Sequence, residues 1–320
     1  MNMVVISLKR EIWEHHGSII KLPIILLALF TAAIVASAFM IGKIAPQKID
    51  MHFDLKSFQQ QNEYGSRQFD FEERIIGDID PGEMTSNTND PELGEVIAYS
   101  LSSPYIIIHR IMLIVIISYL LTCLSTDRRD YSILFWKSMP VSEAQSIGFK
   151  LLTGLVVIPA IAWCVSLILS IFILTAELTL AAASPIEGLA GQIWEYSSVT
   201  GTAWRFIGAY LSLSLWFLPI AAWAMFASAI SKKNVFLSAA LPPFVLVVAE
   251  GMFFKTHRTI DYVIQHASGL IPESDIFMFL DPGWLQIQTV VTHTHFLLSL
   301  PAVALLLYAT MWLRENRFED

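Results

Sequence analysis

Charge is scarce in this chain. Only 15% of its 320 residues are Asp, Glu, Lys or Arg, while 55% are hydrophobic. Soluble domains carry roughly 25% charged residues, so an ordinary soluble fold is excluded. Cysteine is scarcer still. Cys123 and Cys164 are the only two, and both fall in apolar runs, which excludes a disulfide framework and a cysteine-based metal site. No G-x-x-x-x-G-K-[ST] phosphate loop occurs; Gly42-Lys43 stands alone, so this chain is not expected to bind ATP. No H-E-x-x-H occurs either. His293 and His295, with His257 and His266 upstream, are two apart and do not share a helix face. They are read as polar residues heading a span, with no metal bound. Basic residues are outnumbered, 20 against 28 acids, and the net charge of −8 argues against nucleic acid as a partner.

What the chain does have is long apolar runs. Six are near the length that crosses a bilayer: about 20–42, 104–125, 147–174, 204–230, 234–254 and 293–313. A spanning segment must satisfy its backbone internally, so each is expected to be helical. The expected fold class is an all-α polytopic membrane protein of six transmembrane helices. The Ala36-Ser37-Ala38 triplet resembles a signal-peptidase site, but the apolar run continues through Phe39, Met40 and Ile41, so an uncleaved first span is expected.

Basic residues set the orientation. With the N-terminus inside, the short inner segments hold 11 bases and 8 acids, and the remainder of the chain 9 bases and 20 acids. That asymmetry fits the positive-inside rule with both termini cytoplasmic. Residues 1–19, with Trp13 among basic neighbours, read as an interfacial helix. Residues 43–103 hold 5 bases and 12 acids and form an acidic extracytoplasmic domain, small α/β or irregular, marginal alone at about 60 residues. In the outer segment 176–203, Ser184-Pro185-Ile186-Glu187 reads as a helix start. Ser231-Lys232-Lys233 reads as a tight turn that makes spans four and five antiparallel neighbours. Residues 255–292 are too apolar for an ordinary loop and read as an outer, partly re-entrant segment. Residues 314–320 form an inner tail.

Between spans two and three lies a charged and aromatic connector, 126–141. Thr126 or Asp127 can cap a helix, Asp127 and Asp130 favour its positive end, and Pro140 stops it. Ser142-x-x-Gln145 then forms a capping box that restarts a helix. On the short helix, Tyr131, Leu134 and Phe135 share one side, while Ile133 and Trp136 point elsewhere. Apolar residues all around a surface helix leave one side to dock on a partner.

The run from Asp127 to Ser142, DRRDYSILFWKSMPVS, resembles the cytoplasmic loop after span two in bacterial ABC-2 type transporter permeases. The resemblance implies a coupling helix that docks in a groove of a separate ATPase, with Asp127, Arg128, Arg129, Asp130, Tyr131, Leu134, Phe135, Trp136 and Lys137 at the interface. It also implies two ATPase chains that bind ATP and Mg, and a second permease copy. The long outer segment after span one departs from the compact family members. Glu250, after an apolar run in span five, is read as a cap at the mouth of the helix or as part of a substrate path, with Arg110 or Arg205 as its partner. Two other readings are a membrane sensor or scaffold whose acidic outer domain binds a ligand, and an intramembrane enzyme.

Overall fold

The computed structural model describes residues 3–44, 91–129, 142–184, 186, 188–231, 234–268 and 283–316. The expected extracytoplasmic domain between 45 and 90, the Lys232-Lys233 turn, the stretch 269–282 and the tail beyond 316 lie outside them. So do Asp130, Tyr131, Leu134, Phe135, Trp136 and Lys137.

Every regular element among the described residues is helical. Helix α1 spans Met3–Glu14, and a single π-helical turn, Gly17–Lys21, leads into α2, Leu22–Ile44. Helix α3 runs from Pro91 to Arg129, α4 from Glu143 to Leu152, and a second π turn, Thr153–Val157, joins α4 to α5, Ile158–Ala183. Then follow α6 (Leu189–Tyr196), α7 (Val199–Trp216), α8 (Leu218–Ile230) and α9 (Val235–Phe253). The chain closes with α10 (Arg258–Ser268), α11 (Gly283–Thr292) and α12 (Thr294–Asn316).

Five stretches are long and apolar enough to cross a membrane: Gly17–Met40, Leu93–Arg129, Glu143–Ala183, Val235–Phe253 and Thr294–Asn316. A sixth forms if Leu189–Trp216 and Leu218–Ile230, bent by 51° where they meet, make one span. Pro219 lies just after the break, and its missing N–H cannot continue the ladder of α7. The chain is therefore a membrane-embedded protein, all-helical among its described residues.

Several boundaries differ from the sequence reading. Helix α3 begins at Pro91, not near 104, because Pro at the first helical position is tolerated where its N–H would be unpaired anyway. Its lower half packs its Ile97 and Leu101 against Leu174 and Ile193. Helix α6 starts at Leu189, not at Pro185, after Gly188 in a left-handed conformation at φ 82°. Helix α3 also runs through Asp127 to Arg129, so Thr126 and Asp127 do not start a new helix. The expected capping box does form: Ser142 Oγ accepts from Gln145 N and Gln145 Oε1 from Ser142 N, both at 3.2 Å.

Helix α3 is the centre of the bundle, with Tyr105, Ile108, Met112, Leu120 and Cys123 buried against α5, α7 and α8. Lipid offers no hydrophobic drive between spans, so close packing depends on small residues. Ala162 and Ser166 of α5, Ala209 of α7 and Ala221, Ala224 and Ala227 of α8 serve that purpose and are all buried. Gly154 lets this end of the third span lie close against α3. A β-carbon there would stand 2.9 Å from Leu120 Cδ2.

Pro104 inside α3 frees the carbonyl of Ser100, which the Ser103 hydroxyl reaches at 2.8 Å. Neighbouring spans supply Ser170 Oγ to Leu101 O at 2.7 Å and Tyr210 OH to Tyr105 O at 2.6 Å. The indole N–H of Trp163 donates to Ala203 O, and that of Trp223 to Ala239 O, which pins α9 beside α8 as expected for antiparallel neighbours. Trp194, Trp204 and Trp312 are exposed, as an aromatic belt requires.

Candidate functional site

The residues that flank the 130–141 connector are locked together by buried charges. Lys150 of α4 is fully buried. Its Nζ lies 2.6 Å from Glu11 Oε1 of α1 and 3.2 Å from Asp127 Oδ1 of α3. The other oxygen of Asp127 meets Arg314 Nη1 of α12 at 3.4 Å. Arg314 Nε in turn lies 2.8 Å from Glu143 Oε2 at the start of α4. That last contact is an ion pair without hydrogen-bond alignment, since neither atom has an aligned partner. Tyr119 OH donates to the second oxygen of Glu11 at 2.9 Å, and the His15 ring packs edge-on against Tyr119 at 5.0 Å. Burial, which disfavours the imidazolium, holds His15 below its ordinary range despite the nearby Glu11 carboxylate.

Three carboxylates and two cations thus share one covered site, each charge beside its opposite. This is the arrangement that makes buried charge tolerable. Local sequence explains how they arrive there. The capping box fixes the first turn of α4, so Lys150, in its third turn, enters the bundle beside Ile147 and Ser146. Arg314 stands near the end of α12 on the face that carries buried Thr310.

Arg128, next in line, turns to α8. It donates to the carbonyls of Ser228 and of Ser231, the latter at 2.7 Å. The Ser228 hydroxyl accepts from Leu124 N and Ser125 N at 3.2 and 3.1 Å. Five helices, α1, α3, α4, α8 and α12, therefore meet at one end of the bundle, at the two ends of residues 130–141. Helix α1 and the end of α12 lie on the same side as Asp127 and Glu143.

The structure corrects the place of two predicted interface residues. Asp127 is only 2% exposed and enclosed by Lys150 and Arg314, so it has no surface to offer a partner. Arg128 is half-buried and directed inward to α8. Arg129 is exposed. Glu11, Tyr119, Glu143, Lys150 and Arg314 were not singled out by sequence reasoning. A lysine inside the apolar run 147–174 was the available signal.

Glu250 neither meets Arg110 nor Arg205. Its oxygens accept from Thr256 Oγ1 at 2.5 Å and from the backbone N–H groups of Arg258 and Thr259 at 2.8 Å each. It therefore caps the start of α10, where unpaired amides and the helix dipole favour an anion. Arg205 donates to Thr202 Oγ1 at 3.4 Å.

Cys123 is buried, Cys164 is exposed, and they are not paired. Among the described residues no group of three or more His, Cys, Asp or Glu is placed to hold a metal ion. Comparison with protein-family models, curated proteins and solved structures returned no match.

Proposed function

We propose that this chain is the membrane subunit of an ATP-driven exporter of the ABC-2 type, and that residues 130–141 couple it to a separate ATPase. One observation carries the reading. Asp127 before the connector and Glu143 after it both pair with Arg314, so the connector's two ends are held as one unit with α3, α4 and α12. A force applied between them reaches three membrane helices without loss in flexible joints. Lys150 and Glu11 extend that unit to α1.

The other support comes from the sequence: a run resembling the permease coupling loop, and no phosphate loop that would let the chain hydrolyse ATP itself. In this reading two ATPase chains bind ATP and Mg, a second permease copy completes the path, and the connector faces the cytoplasm of a bacterial cell. Closure of the ATPases moves residues 130–141, and α3 and α4 tilt with them.

The test is co-purification from the native host with the double variant Phe135→Ala, Trp136→Ala. Wild type is expected to bring down a phosphate-loop ATPase that the variant loses at equal expression. Retention of the same ATPase by the variant, or no ATPase with the wild type, overturns the proposal.

A further inference from the structure

The α11–α12 junction and the C-terminal part of α10 converge on Trp216, the last residue of α7, at the 51° break to α8. Its indole ring is fully buried and lies flat on the His266 ring of α10, centroids 4.4 Å apart and planes 6° from parallel. His293, in the gap between α11 and α12, meets the same indole edge-on at 5.2 Å, and His295 stacks on His293 at 5.3 Å. The indole N–H donates to Gln265 O at 3.1 Å, a second tie to α10. Tyr262 packs against the His266 ring at 4.1 Å.

The hydrogen bonds fix the protonation state. His266 Nδ1 is 3.0 Å from the carbonyl of Tyr262, which can only accept, so Nδ1 carries the proton. Nε2 is buried and has no partner among the described residues. A proton placed there would be an N–H with no acceptor, on a cation with no counter-charge, among the described residues.

We propose that this stack is a pH-operated latch, in which neutral His266 holds α10 on the α7–α8 break and protonation at Nε2 releases it. The ionisable groups around His266 are Tyr262 on its own helix, His293 at the α11–α12 junction and His295 on α12. None is an acid. Helices α8 and α11 carry no ionisable side chain, and Tyr210 of α7 turns instead to Tyr105 and Ser166. Glu250 of α9 is engaged at the opposite end of α10, with Arg258 and Thr259.

The sign follows from linkage. Burial holds docked His266 below its ordinary pKa of 6.5, and His295 and His293 push the same way. The released helix takes up the proton first as pH falls. The latch is therefore fully closed above the ordinary range and weakens below it. One pH unit below, the released state gains up to about tenfold.

Hydrogen exchange of the full chain in lipid nanodiscs, corrected for intrinsic rates, tests this at pH 7.5 and 5.5. Amides of 258–268 in wild type are expected to lose up to about tenfold protection at the lower pH. His266→Phe keeps a ring on Trp216 but cannot titrate, and should show equal protection at both. If the phenylalanine variant is misfolded, the His266 imidazole signal followed by NMR in wild type serves instead. Its titration midpoint and the loss of α10 protection must coincide. Unchanged wild-type protection, a persistent pH effect in His266→Phe, or titration of His266 with α10 still protected each overturns the latch. None of these readouts involves an ATPase, so the latch and the exporter reading fail separately.

Discussion

Replacing Lys150 with Met isolates the contribution of the buried charges. Met keeps most of the side-chain stem and removes only the ammonium. In wild type that ammonium is 0% exposed, 2.6 Å from Glu11 and 3.2 Å from Asp127. At an effective dielectric of about 20, contacts of this length are worth roughly 5–6 kcal/mol each before desolvation. Desolvating the ammonium offsets much of this, and Met does not incur it. After the exchange Asp127 keeps Arg314 at 3.4 Å and Glu11 keeps the Tyr119 hydroxyl, but Glu11 has lost its counter-charge. Breaking a buried pair in this way costs about 3–5 kcal/mol. Adding Glu11→Gln to Lys150→Met removes the stranded carboxylate and should recover about 1–3 kcal/mol of coupling. Equilibrium unfolding in mixed micelles measures both variants against wild type. A Lys150→Met cost under about 1 kcal/mol, or a double variant no better than the single, refutes the reasoning.

Gly154→Ala should cost about 1–3 kcal/mol in the same assay, because its β-carbon meets Leu120 Cδ2 at 2.9 Å in the centre of the bundle; Leu120→Ala on the same background should recover part of it. Glu250→Ala should speed amide exchange at Arg258 and Thr259 while leaving α9 unchanged, since its carboxylate accepts from both amides.

Much of the helical layout was legible because apolar run length is set by membrane thickness and hardly depends on tertiary context. Ser142 and Gln145 announced their capping box because that signal is local. The helix expected to start at Pro185 starts at Leu189 instead, after left-handed Gly188, and the span expected from about 104 continues a helix that starts at Pro91, because apolar run length marks the span and not the helix that extends beyond it. The ion cluster was harder to see. Lys150 and Arg314 were counted as inner-side bases, which is a statement about depth; their partners at Glu11 and Asp127 are chosen by tertiary contact across 139 and 187 positions. Glu250 shows the reverse. Its alternatives included a cap, but the distant Arg110 and Arg205 drew attention away from amides only eight and nine residues ahead.

The order in which the charges meet gives the cluster a role during biosynthesis. Glu11 and Asp127 are already made when Lys150 leaves the ribosome, so a first set of two acids on one cation can assemble once the third apolar stretch is inserted. Glu143 must then wait for Arg314, 171 positions later (314 − 143). Until α12 arrives, the half-built bundle carries two acids too many at a known address, and Arg314 of α12 pairs with both Asp127 and Glu143 there. Insertion of α12 in the wrong place leaves two buried charges apart, so the final helix is guided to its slot by the one contact its own apolar surface could not encode.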